Sequence, residues 1–216
     1  MKFQEQAERF GAVTEYAEIT GLELSSNPKV IHTSEGDFYG KTVVIALGAG
    51  ARKLGLPAEE RFTGRGVGYC AHCDGMFYKD KVVAIVGGGN SAAAEALFLS
   101  RSAKKVILIH RRDTLRATKI YHEPLMKLPN IEFRWNSAVK SLVGDDRLSA
   151  IKVQNLLSGE EEILNVDGLF VSIGRKPATE LVKDQLTLDE AGYIMAGEDT
   201  RTNIPGVYAV GDVRVK

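Results

Sequence analysis

The spacing of apolar and polar positions changes partway along the chain. From residue 13 to residue 47, short β-branched runs alternate with turn residues. They end in the apolar stretch Thr42-Val43-Val44-Ile45-Ala46-Leu47, just before Gly48. This pattern predicts a small β-rich piece that closes with a buried strand. Residues 48–68 are rich in Gly, Ala and Arg, hold Pro57, and read as a connector between domains. From Lys81 on, wholly apolar runs alternate with helix-forming ones. Strands are predicted at 81–86, 106–109 and 131–135, with helices at 92–101 and at 116–128, the second interrupted by Pro124. A β-α-β-α-β order of this kind builds a parallel sheet with helices on its faces. Residues 141–143, 148–154 and 161–166 are separated by Gly-Asp-Asp and Ser-Gly turns, which predicts a three-stranded antiparallel meander. Residues 169–173 return to a buried strand. The chain then becomes loop-rich up to a last strand that leaves through Gly211-Asp212.

Composition narrows the function classes. Hydrophobic residues at 44% and charged residues at 26% of 216 are ordinary for a globular protein. Lys plus Arg number 28, as do Asp plus Glu, so no overall field draws in nucleic acid or a membrane surface. No apolar run reaches the length of a membrane span, and residues 1–20 lack the apolar centre of a signal peptide. Two cysteines cannot make a secreted disulfide framework. The expected compartment is the cytoplasm, where a cysteine pair is more often catalytic or metal-binding than structural.

Gly87-Gly88-Gly89-Asn90-Ser91-Ala92 fits G-x-G-x-x-A and stands between an apolar strand and a helix. In that setting the glycines let the backbone approach a pyrophosphate, and the last small residue lets helix and strand pack closely. The helix start offers free N–H groups and the positive end of its dipole, with Asn90 and Ser91 available as caps. About 20 residues on, where NAD-binding chains carry an acid for the ribose, this chain has His110-Arg111-Arg112, followed by Arg116. Guanidinium groups there suit a 2′-phosphate and select NADP(H) over NAD(H). Asp113 stands behind the two arginines.

Cys70-Ala71-His72-Cys73-Asp74-Gly75 sets two thiols at redox-pair spacing. Asp74 is placed to pass a proton to or from a thiolate. A zinc site would need two more ligands, and the remaining histidines lack ligand spacing. Met76 and Phe77 can serve either a partner surface or the core, and Arg65 is a weaker candidate for partner contact.

With CAHCDG at 70–75, GGGNSAAAEAL at 87–97, HRRDTLRATK at 110–119, GLFVSIGRKP at 168–177 and TNIPGVYAVGDV at 202–213, the chain resembles the bacterial-type, low-molecular-weight thioredoxin reductases. The flavoprotein subunit of alkyl hydroperoxide reductase shares these motifs and is the alternative. The resemblance implies an α/β fold. A Rossmann-like, three-layer NADP(H)-binding domain with an antiparallel meander would span residues 51–175, inserted in an FAD-binding domain represented by 1–50 and 176–216. It further implies that hydride passes from NADPH through FAD to a Cys70–Cys73 disulfide and then to thioredoxin or a similar small dithiol protein. By the same implication Cys73 faces the flavin, Cys70 attacks the partner and Asp74 is the acid. Gly87, Gly89, Asn90, Ser91 and Ala92 would hold the dinucleotide, with Arg111, Arg112 and Arg116 on its 2′-phosphate. Gly211 and Asp212 would hold the flavin, and the assembly would be a homodimer. Hinges would lie at residues 48–55 and 174–178.

Two departures from the family pattern set further expectations. No strand–GxGxxG–helix for the FAD pyrophosphate lies before Gly40, and the chain ends soon after Asp212. A chain truncated at both ends is therefore expected, with weak or no FAD binding of its own. A further alternative is an isolated NADP(H)-binding redox module without turnover.

Overall fold

The computed structural model describes residues 2–215. The chain divides into two compact units, one of residues 51–175 and one of residues up to 50 together with those from 176 on.

The 51–175 unit is built on five parallel strands in the order Val67–Gly68, Gly168–Val171, Val82–Val86, Lys105–Ile109 and Ile131–Arg134. The register sets Ala84 between Leu169 and Ile107. Strands such as Val-Val-Ala-Ile-Val carry no polar residue because both of their faces are covered. Alternate side chains sort to opposite faces. Val83, Ile85, Val106, Leu108 and Phe170 pack against helix Asn90–Leu99, which turns Ala92, Ala93, Ala96 and Leu99 inward. Ala84, Val86, Ile107, Ile109, Leu169 and Val171 pack on the other face against Val139, Leu148, Ile151 and Val153. The last four belong to the antiparallel meander Ser137–Gly144, Leu148–Asn155 and Glu161–Asn165. Helix, sheet and meander thus form three layers. Truncating a fully buried side chain such as Ile85 to alanine in such a core costs about 2–5 kcal/mol.

Three expectations are corrected here. Residues 48–68 are more than a connector: they contain helix Glu59–Phe62 and strand Val67–Gly68, which joins the main sheet at its edge. The helix expected over 116–128 begins later, as a 3₁₀ turn Lys119–Tyr121 followed by His122–Lys127. Pro124 therefore lies in a first turn, where its missing N–H leaves no helical bond unmade. Asn90 and Ser91 do not cap helix Asn90–Leu99. Gly89 holds the cap position without a side-chain bond, and Asn90 Oδ1 accepts from the Thr118 amide at 2.8 Å.

The other unit holds an antiparallel sheet of Ile19–Glu23, Lys29–Thr33 and Gly36–Gly40, and a parallel pair of Val43–Ile45 with Val207–Ala209. Its core gathers Leu24, Ile45, Val182, Ile194, Val207 and Val213. Helix Lys2–Arg9, which the apolar pattern does not announce, buries none of its side chains.

Candidate functional site

The 51–175 unit carries two sites, one at the turn after strand Val82–Val86 and one at the turn after strand Val67–Gly68.

At the first, the glycines have separate duties. Gly87 takes φ +151°, and a Cβ on it would run into the Ser172 carbonyl and Ala92. Gly88 lies against the His110 ring, and its carbonyl accepts from the Arg116 and Ala117 amides at 2.7 and 3.0 Å. Gly89 faces open space. Helix Asn90–Leu99 begins there with no side-chain cap, so its first amides and its positive dipole end are available to an anion. A cavity of about 390 Å³ adjoins this turn, lined by Gly87, Gly88, His110, Arg111, Arg116 and Arg52, among others.

His110 is only 5% exposed, and its Nε2 is buried without a partner. Burial, followed by the charges of Arg116, Arg112 and Arg111, pushes the imidazole below its ordinary pKa. A neutral ring with an unpartnered polar atom beside a cavity is suited to a polar ligand group. Its ring lies edge-on to Trp135 at 6.4 Å, and Trp135 stacks on Phe133 at 4.7 Å. The glycine cradle, the uncapped helix start, the orphaned nitrogen and the guanidinium groups of Arg52, Arg111 and Arg116 fit a phosphorylated dinucleotide.

Of the residues singled out by sequence, Gly87, Arg111 and Arg116 come together on this cavity. Gly89, Asn90 and Ser91 stand at the helix start, and Ala92 is buried beneath it. Arg112 is exposed on the same loop but is not among the residues lining the cavity. Gly211 and Asp212 belong to a 3₁₀ turn of the other unit.

At the second site Cys70 and Cys73 form a disulfide, with Cα atoms 5.3 Å apart. Cys70 caps the short helix Ala71–Asp74, and the Cys73 amide donates to Cys70 Sγ at 3.2 Å. Cys73 is exposed, while Cys70 and Asp74 are half-buried. Asp74 borders a cavity of about 620 Å³ shared with Arg65, Phe77, Tyr78, Lys81 and Arg147. Met76 and Phe77 are 72% and 73% exposed, so they face outward and not into the core. Tyr78 is the residue of this segment that turns in, meeting Phe170 edge-to-face at 5.3 Å.

Helix Asn90–Leu99 touches both sites. A Cβ on Gly75 would strike Phe98 and Leu99, and the His72 ring stacks on Phe98 at 4.4 Å. Between its ends lies Glu95, one of whose carboxylate oxygens is buried without a partner. Burial raises its pKa, against the lowering pull of the Ser172 hydroxyl, the His72 ring and the Ala71 amide. Sequence reasoning missed His110, Arg52 and Glu95. A histidine beside two arginines was the only signal for the first, and a lone acid in an alanine-rich helix carries none.

The family described as "Pyridine nucleotide-disulphide oxidoreductase" matches residues 2–216. A thioredoxin reductase of Streptomyces coelicolor is 46% identical over 210 residues, covering 96% of this chain and 65% of that protein. One from Peptoclostridium acidaminophilum is 41% identical, covering 100% and 70%. The crystal structure of Lactococcus lactis thioredoxin reductase (FR conformation) superposes with a TM-score of 0.83 at 41% identity, covering 100% of this chain and 72% of that one. That of T. acidophilum thioredoxin reductase gives 0.81 at 33%, covering 99% and 71%. The chain therefore spans about two thirds of the length of these relatives. With its cradle, its cationic cleft and its bonded cysteine pair, it belongs to the pyridine nucleotide-disulphide oxidoreductases, within the branch of the thioredoxin reductases.

Proposed function

We propose that this chain is the dinucleotide-binding, disulfide-bearing part of an NADPH-dependent thioredoxin-disulfide reductase. The observation that carries the reading is the shared helix Asn90–Leu99, roughly 15 Å long. It offers an uncapped, positively polarised start beside the glycine cradle, and it supports the Cys70–Cys73 turn through Phe98. Arg111, Arg112 and Arg116 hold the 2′-phosphate, and His110 gives a neutral polar contact beside it. Bound NADPH supplies a hydride, that is, two electrons. The flavin is a different case. Among the described residues of the other unit no strand–glycine turn–α-helix is present to cradle its diphosphate, so the residues here do not by themselves fit FAD.

Two electrons and two protons convert the Cys70–Cys73 disulfide to a dithiol. The Cys73 amide aimed at Cys70 Sγ favours a thiolate on Cys70. That thiolate attacks one sulfur of the partner's disulfide and releases the other as a thiol, leaving a mixed disulfide. Cys73 then attacks Cys70, re-forms the internal bond and frees the second partner thiol. Half-buried Asp74 exchanges protons with the thiolates, and exposed Met76 and Phe77 give an apolar surface for a thioredoxin-like dithiol protein. A homodimer in the cytoplasm completes the reading, supported by the resemblance to thioredoxin reductases. No helix among the described residues is long and apolar enough to cross a membrane.

Titration of the purified chain with NADPH and NADH tests the first half, with NADPH expected to bind at least tenfold tighter. The second half is tested with Cys73→Ser, which should accumulate a mixed disulfide between Cys70 and thioredoxin. Equal affinity for both dinucleotides, or trapping only through Cys73 in the Cys70→Ser variant, would overturn the corresponding half.

A further inference from the structure

Eleven residues before Cys70 lies a buried acid that neither the dinucleotide cleft nor the thiol chemistry uses. Glu59 is only 3% exposed, yet its carboxylate accepts four hydrogen bonds. Oε1 takes the Leu54 amide at 2.9 Å and the Tyr69 hydroxyl at 2.8 Å. Oε2 takes the Gly55 and Leu56 amides at 2.8 and 3.3 Å. One carboxylate therefore ties the entry segment of the 51–175 unit to the residue that immediately precedes Cys70.

We infer that the Glu59–Tyr69 bond is a clamp that positions Cys70 for disulfide closure, and that it sets how strongly the pair holds its bond. The redox turn is fixed at both ends. On its far side Gly75 has no room for a Cβ against Phe98 and Leu99, and Tyr78 packs on Phe170. On its near side strand Val67–Gly68 stops after two residues, so the ladder ends one residue short of Tyr69, whose ring rests on the core without fixing its backbone. There the hydroxyl bond to Glu59 replaces the ladder. A buried carboxylate makes a strong acceptor, and such charge-assisted bonds are about twice as strong as neutral ones. Burial and the Glu59 charge both push the Tyr69 phenol above its ordinary pKa, which keeps it a donor.

Clamping matters because a disulfide tolerates only a narrow range of Cα and Cβ placements. When the reduced backbone already stands in that range, re-closing the bond costs little entropy and the effective concentration of one thiol at the other is high. Releasing Tyr69 frees residues 69 and 70, lowers that concentration and makes the pair a stronger oxidant. Glu59 and Tyr69 act through the cysteine backbone and touch no reacting atom, so they are positioning residues.

The test is the equilibrium of the chain's own cysteine pair with reduced and oxidised glutathione, followed by thiol alkylation. It requires neither dinucleotide, flavin nor thioredoxin, so its outcome is independent of the proposed reductase activity. Tyr69→Phe keeps the ring and loses only the hydroxyl. We expect its equilibrium constant for disulfide formation to fall at least threefold. Glu59→Gln should lower it about tenfold, equivalent to about 30 mV. The double variant should go no further than Glu59→Gln, because both changes weaken the one Glu59–Tyr69 contact. Asn155→Ala removes the acceptor of the Leu157 and Ser158 amides in the meander turn and serves as the control. It should lower the melting temperature and leave the glutathione equilibrium unchanged. Should Glu59→Gln fail to fold, Tyr69→Phe decides alone. A wild-type equilibrium constant in a folded Tyr69→Phe, or an equal shift in Asn155→Ala, overturns the inference.

Discussion

The glycine turn and the redox turn leave the two strands that flank Gly168–Val171 in one parallel sheet, yet their polar groups are treated in opposite ways. At the glycine turn Gly89 opens onto free space, the helix amides lack a side-chain cap and His110 Nε2 has no partner. At the redox turn Cys70 Sγ caps the Cys73 amide, Tyr69 is tied to Glu59 and Gly75 is packed tight. Buried groups without partners are costly, and they persist where a ligand completes them. Fully satisfied groups hold still, which is what bond exchange between two fixed sulfurs requires. The contrast separates a place built for something to arrive from a place built to stay put.

The largest effect that can break the contrast is at Gly87. A Cβ there meets the Ser172 carbonyl and Ala92 at a φ that disfavours side chains. Gly87→Ala should cost about 3 kcal/mol in denaturant unfolding, whereas Gly89→Ala should leave stability nearly unchanged and weaken NADPH binding. If both variants unfold alike, the glycines do not have separate duties. Next come the arginines. Arg111→Ala and Arg116→Ala should each weaken NADPH binding by roughly 10- to 100-fold, from about 1.5–3 kcal/mol per charged hydrogen bond, with NADH binding unaffected. A parallel loss for NADH in isothermal titration would move these side chains off the 2′-phosphate. The smallest effect concerns Glu95. Its carboxyl titrates above the ordinary 4.5 because burial disfavours the charge. The folded state thus keeps its proton when the unfolded chain has lost it, and stability falls as pH rises from 4.5 through the raised value. Glu95→Gln should flatten that part of the stability–pH curve. A curve identical to wild type would remove Glu95 from the account.

Much of this architecture is legible in the sequence where local pattern and final environment agree. Residues 82–86 are wholly apolar and buried on both faces, and the turn residues of the meander fall between its strands. Legibility fails where a partner lies far along the chain. Val67–Gly68 is too short and too glycine-bound to announce a strand, and it is one because Leu169 and Phe170 lie alongside it. Asn90 reads as a cap until the Thr118 amide, 28 residues on, claims its side chain. Glu59 belongs to no motif, since its four donors are spread between residues 54 and 69 and meet only after folding. His110 looks like the end of a strand, and only packing shows that one of its nitrogens is left without a bond.

The placement of Trp135 has a practical consequence. It is the sole tryptophan of the chain, stacked on Phe133 and set edge-on to His110, which lines the cavity at the glycine turn. The indole is therefore a built-in optical probe, and its emission is expected to change when a ligand reaches the histidine beside it. Occupancy of the cleft can be followed by light in the unlabelled protein, apart from any change at the sulfurs.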